Sequence, residues 1–194
     1  SIDYDSVSHI YFLIGHKGDQ IIKYLIKKRI DIGYTVISDG DSLLGTGGAL
    51  KKACKNINSP FFLTYGETIL DVTWNLMLET FKKGSPPLLL SVILNKGLTD
   101  KSNIEINLEN KLIYNKICPN KKMKYIDYGL SIINSEDYIR STSKVERFDL
   151  SSWYHYVSLI YEKLPFVFAN KRYFEIGTPK ALMEFKESFL KKCP

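Results

Sequence analysis

The chain has 194 residues, 44% hydrophobic and 13% aromatic, which suits one globular domain with a sizeable core and argues against disorder. Its net charge of +6 comes from scattered lysines and arginines with no aromatic-interleaved basic stripe, so nucleic acid is not an expected partner. No apolar run reaches the roughly 18 residues of a membrane span and no signal-peptide pattern opens the sequence, so no membrane partner is expected and the expected location is cytoplasmic.

The stretch SHIYFLIG (8–15) reads as a short buried strand ended by Gly15, and DQIIKYLIKKR (19–29) as an amphipathic helix. YTVIS (34–38) is a second strand. The Gly-rich loop DGDSLLGTGG (39–48) leads into a helix over ALKKACKNI. PFFLTYG (60–66) is a third strand, VTWNLMLETFKKG (72–84) a helix closed by Gly84, and PLLLSVIL (87–94) a fourth strand. Strand alternating with helix in this order predicts an α/β fold, a mostly parallel sheet flanked by helices.

After residue 95 the rhythm changes. NIEINLENKLIYNK (103–116) alternates apolar and polar residues around a turn at Glu109-Asn110, the pattern of an antiparallel hairpin. MKYIDYGLSIIN (123–134) is another strand, SSWYHYVSLIYEKL (151–164) a helix with core aromatics, and PFVFANKRYFEIG (165–177) strands. TPKALMEFKESFLKK (178–192) closes the chain as a helix with Thr178 as N-cap, Pro179 at the first position and Lys191 and Lys192 in the last turn. Cys54, Cys118 and Cys193 are isolated thiols, as in a reducing compartment, and His9, His16 and His155 share no metal-ligand spacing.

In an open α/β sheet, ligands bind beyond the carboxyl ends of the parallel strands. Two acids stand at such ends: Glu67 after FFLTYG, and Glu175 in YFEIGTP. Converging at one sheet edge, two carboxylates can hold a Mg²⁺ that keeps several waters and binds substrate phosphates. Each acid taken singly can equally cap a helix or pair with a lysine. The loop LLGTGGAL (43–50) opens a helix and can present backbone amides to an anion, or serve as a plain turn. It lacks the Gly-Lys-Ser/Thr of a Walker loop and does not follow the first strand as a dinucleotide loop does.

Taken in order, LLGTGGALKKA, FFLTYGE, SNIEI, YNK, YIDYGLSII and FEIGTPKALMEF resemble sugar-1-phosphate nucleotidyltransferases over residues 8–190, closest to the bacterial heptose and surface-sugar branch. The resemblance implies a nucleotide-diphospho-sugar transferase-like, Rossmann-like fold. It also implies transfer of a nucleotidyl group from a nucleoside triphosphate to a sugar 1-phosphate, with Mg²⁺, in surface polysaccharide or heptose-type sugar activation. Glu67 and Glu175 match the metal-binding acids. Leu44, Gly45, Thr46, Gly47 and Gly48, with Tyr65 and Gly66, match the nucleotide-binding positions. Lys116 matches a lysine that neutralises the sugar phosphate, and Asn103, Asp127 and Gly129 match the sugar pocket. Homologous architectures assemble in several ways, so a homo-oligomer is possible.

Two features depart from the family pattern. The expected first strand and G-G-x-G-T-R-L phosphate loop have no counterpart, so residues 1–194 read as a single nucleotidyltransferase-like domain lacking that segment. Glu67 stands where the family has Asp, and Mg²⁺ demands near-octahedral geometry at about 2.0–2.1 Å, so the longer acid requires a bridging water or a backbone shift. These departures leave a second expectation, a non-catalytic homologue that binds a nucleotide or sugar or regulates a partner.

Overall fold

The computed structural model describes residues 7–40, 42–70, 74–97, 101–171 and 174–190, with backbone alone at Glu175 and at 188–190. In chain order the elements are β1 (Ile10–Ile14), α1 (Gly18–Lys28), β2 (Tyr34–Ser38), α2 (Gly45–Cys54), β3 (Phe61–Thr64), β4 (Thr68–Ile69), α3 (Trp74–Lys82) and β5 (Leu88–Leu94). There follow β6 (Ile104–Ile106), β7 (Leu112–Tyr114), β8 (Tyr125–Ile133), α4 (Ser135–Thr142), α5 (Leu150–Ile160), β9 (Phe166–Phe168), β10 (Phe174–Glu175) and α6 (Pro179–Leu190). The expected α/β class with flanking helices is borne out.

The sheet is mixed, and the reason lies in β8. This strand pairs antiparallel with β3 and β6 on one edge and with β5 on the other, and β9 joins β5 in parallel. Strands β3, β5, β6 and β9 therefore run in one direction, as the strand–helix alternation predicts, but β8 separates β3 from β5. Local periodicity assigns a strand without naming its partner, so this insertion has no signature in the residues 60–94. Strands β1 and β2 form a separate parallel pair, and β4 and β10 a short antiparallel one.

The core follows from composition. β5, LLLSVIL, is buried on both faces except at Leu94, as a central strand must be. Its one polar residue, Ser91, donates to the Leu130 carbonyl at 2.6 Å, which removes the cost of burying a hydroxyl. Tyr154 of α5 hydrogen-bonds Ser131 of β8 at 2.9 Å, and Trp153 and Tyr154 fill the same core, as the helix reading expected. Each fully buried aliphatic side chain contributes about 1.5–3 kcal/mol.

Two boundaries differ from expectation. α5 ends at Ile160 rather than 164, with Leu164 and Pro165 leading directly into β9. The first residues of the helix expected at 72–84 lie outside the described residues, as do Lys191, Lys192 and Cys193. Thr178 caps α6 as expected, its Oγ1 accepting from the Ala181 amide at 3.2 Å.

The second difference is in the Gly-rich loop, where the helix begins at Gly45 rather than Ala49. Its first-turn amides find an acceptor from far along the chain: Gly47 and Gly48 both donate to the Phe148 carbonyl, at 2.9 and 3.2 Å. The glycines are required by this packing. A methyl group on Gly48 would lie 2.3 Å from the Glu146 carbonyl oxygen, and one on Gly47 2.3 Å from the Phe148 ring. Gly48→Ala should therefore destabilise the protein by about 1–3 kcal/mol, read as a lower urea midpoint. Gly84→Ala, where nothing lies within 4 Å, should change stability by no more than about 0.5 kcal/mol.

Candidate functional site

Along one edge of β8, β6 pairs at Tyr125 and β3 from Leu130 to Ile133, so residues 126–129 lie between them. On the other edge the register with β5 jumps from Leu90↔Ser131 to Val92↔Asp127, the mark of a bulge. Gly129 sits in it at φ +87°, a conformation that favours glycine. Its amide donates to Asp127 Oδ1 at 3.0 Å, and the Asp127 amide donates to Asn103 Oδ1 at 3.0 Å. The strand thus breaks where the sequence reading placed sugar-pocket residues.

The turn after β3 closes on this break. A side chain on Gly129 would meet Thr68 at 3.5 Å and the Tyr65 ring at 3.7 Å. Glu67 is exposed in that turn, and its backbone carbonyl accepts from Ile176 at 2.8 Å. Opposite it, β10 pairs Glu175 with Thr68, so the backbones of the two predicted metal ligands are neighbours. A methyl group on Gly177 would approach Glu67 Oε2 within 2.6 Å, so this glycine leaves the Glu67 carboxylate its space. The Glu175 side chain lies outside the described residues, and with it the separation of the two carboxylates.

Charge gathers around Tyr65. Burial, then the carboxylates of Asp127, Asp149 and Glu67, push its hydroxyl well above the ordinary tyrosine value. Tyr114 is raised in the same way, by burial and by Asp127. Burial lifts the half-buried Asp127 carboxyl to about 6, opposed by the Gly129 hydrogen bond and by the nearby charge of Lys116. Lys116, exposed just after β7, is thus near enough for its charge to favour the ionised form of Asp127.

Not every expected residue is equally free. Asn103 is 7% exposed, and its side-chain oxygen and backbone amide and carbonyl already join β6, β8 and Asn115. Its contribution is to hold Asp127 in place. In the Gly-rich loop, the Gly47 and Gly48 amides are bonded to Phe148, and Thr46 Oγ1 accepts from the Leu150 amide at 2.9 Å. Leu44 accepts the Phe148 amide at 3.1 Å. The loop is thereby tied to the segment before α5 and does not offer those two amides to an anion.

That segment holds a residue the sequence reading missed. Asp149 stands at the N-cap of α5 yet makes no capping bond. Its Oδ1 lies 3.3 Å from where a Gly45 side chain would be, and its charge reaches Tyr65. Its position looks like that of an ordinary helix cap, so sequence alone gave no signal. Hard carboxylate oxygens at Glu67 and Glu175 are the donor chemistry that suits Mg²⁺. Among the described residues no group of three histidine, cysteine or acidic side chains is placed to hold a metal. No described helix is long and apolar enough to cross a membrane.

The raised Asp127 carboxyl has a consequence for stability. Between about pH 4, where an exposed aspartate titrates, and about pH 6, the folded state binds more protons than the unfolded one. Stability should fall as pH rises through this window. Asp127→Asn should flatten that part of the profile, measured as urea midpoints at intervals across it; an unchanged slope would show that Asp127 does not titrate there.

Comparison with solved structures places this arrangement in a known fold. HddC from Yersinia pseudotuberculosis matches with a TM-score of 0.75 at 21% identity, over 96% of this chain and 80% of that one. A second HddC structure, complexed with GMP-PN, matches with a TM-score of 0.75 at 20% identity, over 96% and 80% of the two chains. The inositol-1-phosphate CTP transferase from T. maritima matches with a TM-score of 0.74 at 17% identity, over 97% and 78%. A UDP-glucose pyrophosphorylase complexed with UDP-glucose gives 0.74 at 11%, over 95% and 81%. No protein-family model and no curated protein sequence matches this chain. The likeness is one of fold, which the chain shares with an inositol-1-phosphate CTP transferase and a UDP-glucose pyrophosphorylase.

Proposed function

We propose that this protein transfers a nucleotidyl group from a nucleoside triphosphate to a sugar 1-phosphate, giving an NDP-sugar and pyrophosphate. The observation that carries the reading is the meeting of the Tyr65–Glu67 turn, the Glu175 strand, the Asp127–Gly129 bulge and Lys116 around one strand break. This occurs in a fold shared with enzymes whose names state that chemistry. The ordered resemblance of the sequence motifs points the same way, and it is the basis for naming a heptose-type or surface-polysaccharide sugar as substrate and the cytoplasm as the location.

The reaction asks little covalent chemistry of the protein. An oxygen of the sugar phosphate attacks the α-phosphorus, the bond to the bridging oxygen breaks, and pyrophosphate leaves with the electron pair. Positioning and charge neutralisation provide most of the acceleration. Lys116 offsets the sugar-phosphate charge, and Asp127, ionised above about pH 6, accepts from a sugar hydroxyl. Glu67 and Glu175 hold Mg²⁺, which when bound supplies charge neutralisation on the phosphates. The loop at Gly45–Gly48 contributes its surface to base and ribose rather than the Gly47 and Gly48 amides to phosphate, since Phe148 already engages these. Those two amides are therefore not the donors to the triphosphate.

The test is a pyrophosphate-release assay of the protein as encoded, with Mg²⁺ and a panel of triphosphates and sugar 1-phosphates. One productive pair is expected, and Glu67→Ala should lower its turnover about 10²–10³-fold. Lys116→Ala should weaken sugar-phosphate binding by about tenfold or more while leaving nucleotide binding nearly unchanged, as separate calorimetric titrations would show. Nucleotide binding without turnover across the panel would replace this reading with that of a non-catalytic binding homologue.

A further inference from the structure

A second cavity lies away from the strand break, between α4 and α5, with a volume of about 420 Å³, within the range of small-ligand sites. Its two walls differ in kind. On α5, Trp153 and Val157 form a buried floor, while Tyr156 and Ile160 stand 48% and 55% exposed as an apolar rim. On the α4 side lie Arg140 and Lys144. Arg140 is paired with Asp137, whereas Lys144 has no ion-pair or hydrogen-bond partner among the described residues. An aromatic face opposite an uncommitted cation selects a ligand with a planar apolar part and an anionic group.

The floor of this groove is wired to the Gly-rich loop. Trp153 packs edge-on against Tyr138, with ring centroids 4.6 Å apart, and the Tyr138 hydroxyl donates to the Gly47 carbonyl at 2.7 Å. The Trp153 indole donates to Ser141, which lines the groove. A second connection runs along the chain. Lys51 of α2 donates to the carbonyls of Thr142, Ser143 and Val145, fixing the segment that leads to Phe148 and its bonds to Gly47 and Gly48. A change in Trp153 or in residues 142–145 is thus felt at the loop through packed and hydrogen-bonded groups.

We propose that the α4–α5 groove is a second ligand site, for a small aromatic anion, and that its occupant acts on the Gly45–Gly48 loop through Tyr138 and the 142–148 segment. This site stands independently of the catalytic reading, because none of its lining residues belongs to the strand break.

Phenyl phosphate serves as the probe, with inorganic phosphate and phenol as separate arms. The chain has two tryptophans, so Trp74→Phe leaves Trp153 as the reporter of fluorescence. A saturable change with phenyl phosphate is expected at about millimolar concentration, the scale set by ligand efficiency for so few atoms, and weaker binding of either fragment. Lys144→Glu and Tyr156→Ala, both at exposed positions, should each raise the dissociation constant about tenfold. In amide NMR spectra of the wild-type chain, the Gly47 and Gly48 signals should shift with the same saturation curve, and in Lys144→Glu the same shift should need about tenfold more ligand. Equal affinity for inorganic phosphate, an unsaturable response, or immobile Gly47 and Gly48 signals would each overturn the proposal. Loop shifts whose saturation curve is unchanged in Lys144→Glu would also overturn it, placing the probe at the loop itself.

Discussion

The candidate site depends on β8 being unable to continue as a regular strand through Gly129. The left-handed conformation there, at φ +87°, turns the Gly129 amide onto the carboxylate of Asp127, two residues earlier. A regular strand would have sent both amides into a ladder and placed Asp127 in line with its neighbours. The bulge instead opens the edge between β6 and β3, and the Tyr65–Glu67 turn packs against it, with Thr68 and Tyr65 at ordinary contact distance from Gly129. The glycine thus serves the backbone conformation, since φ +87° is one that side-chain-bearing residues rarely adopt.

That break concentrates negative charge in a chain whose overall charge is positive. Glu67, Asp127 and Asp149 all raise the Tyr65 hydroxyl, and burial keeps the Asp127 carboxyl up at about 6. Like charges gathered in a partly desolvated place repel one another, and folding tolerates them where hydrogen bonds and a nearby cation compensate. Here the compensation is partial: the Gly129 amide and Lys116 favour the ionised Asp127 without restoring it to its ordinary value. A site with carboxylates left in excess is poised for a cation or for hydroxyl donors.

Much of the fold was legible because it is written locally. The hairpin was readable from alternation around Glu109-Asn110, and Asn110 does take the turn conformation at φ 60° while Asn107 accepts from the Glu109 and Lys111 amides. The last helix was readable from Thr178-Pro179. The placement of β8 between β3 and β5 was not, since nothing in YIDYGLSII states which strands it joins; that choice is made by burial of both faces of β5 and by long-range pairing. The site divides along the same line. Glu67 sits at a strand end where a sequence rule can find it, and Tyr65, Lys116, Asp127 and Gly129 were reached through the family resemblance, but Asp149 comes near Tyr65 only because Phe148 binds a loop about a hundred residues away in sequence.

In the Gly-rich loop, the structure bears on one of the two readings left open by the sequence, that its amides face an anion. Glycines ahead of a helix suggest amides held open for a phosphate, and helix N-termini do bind anions. Here the acceptor is a main-chain carbonyl of the protein itself, and the missing side chains make room for Glu146 and Phe148. A carbonyl satisfies the same donors that a phosphate would, so the loop gains rigidity at the expense of anion capture. Its remaining surface is shaped by residues 146–149, which also carry Asp149 toward Tyr65. The loop and the strand break are therefore joined through one segment, and what moves residues 146–149 moves both.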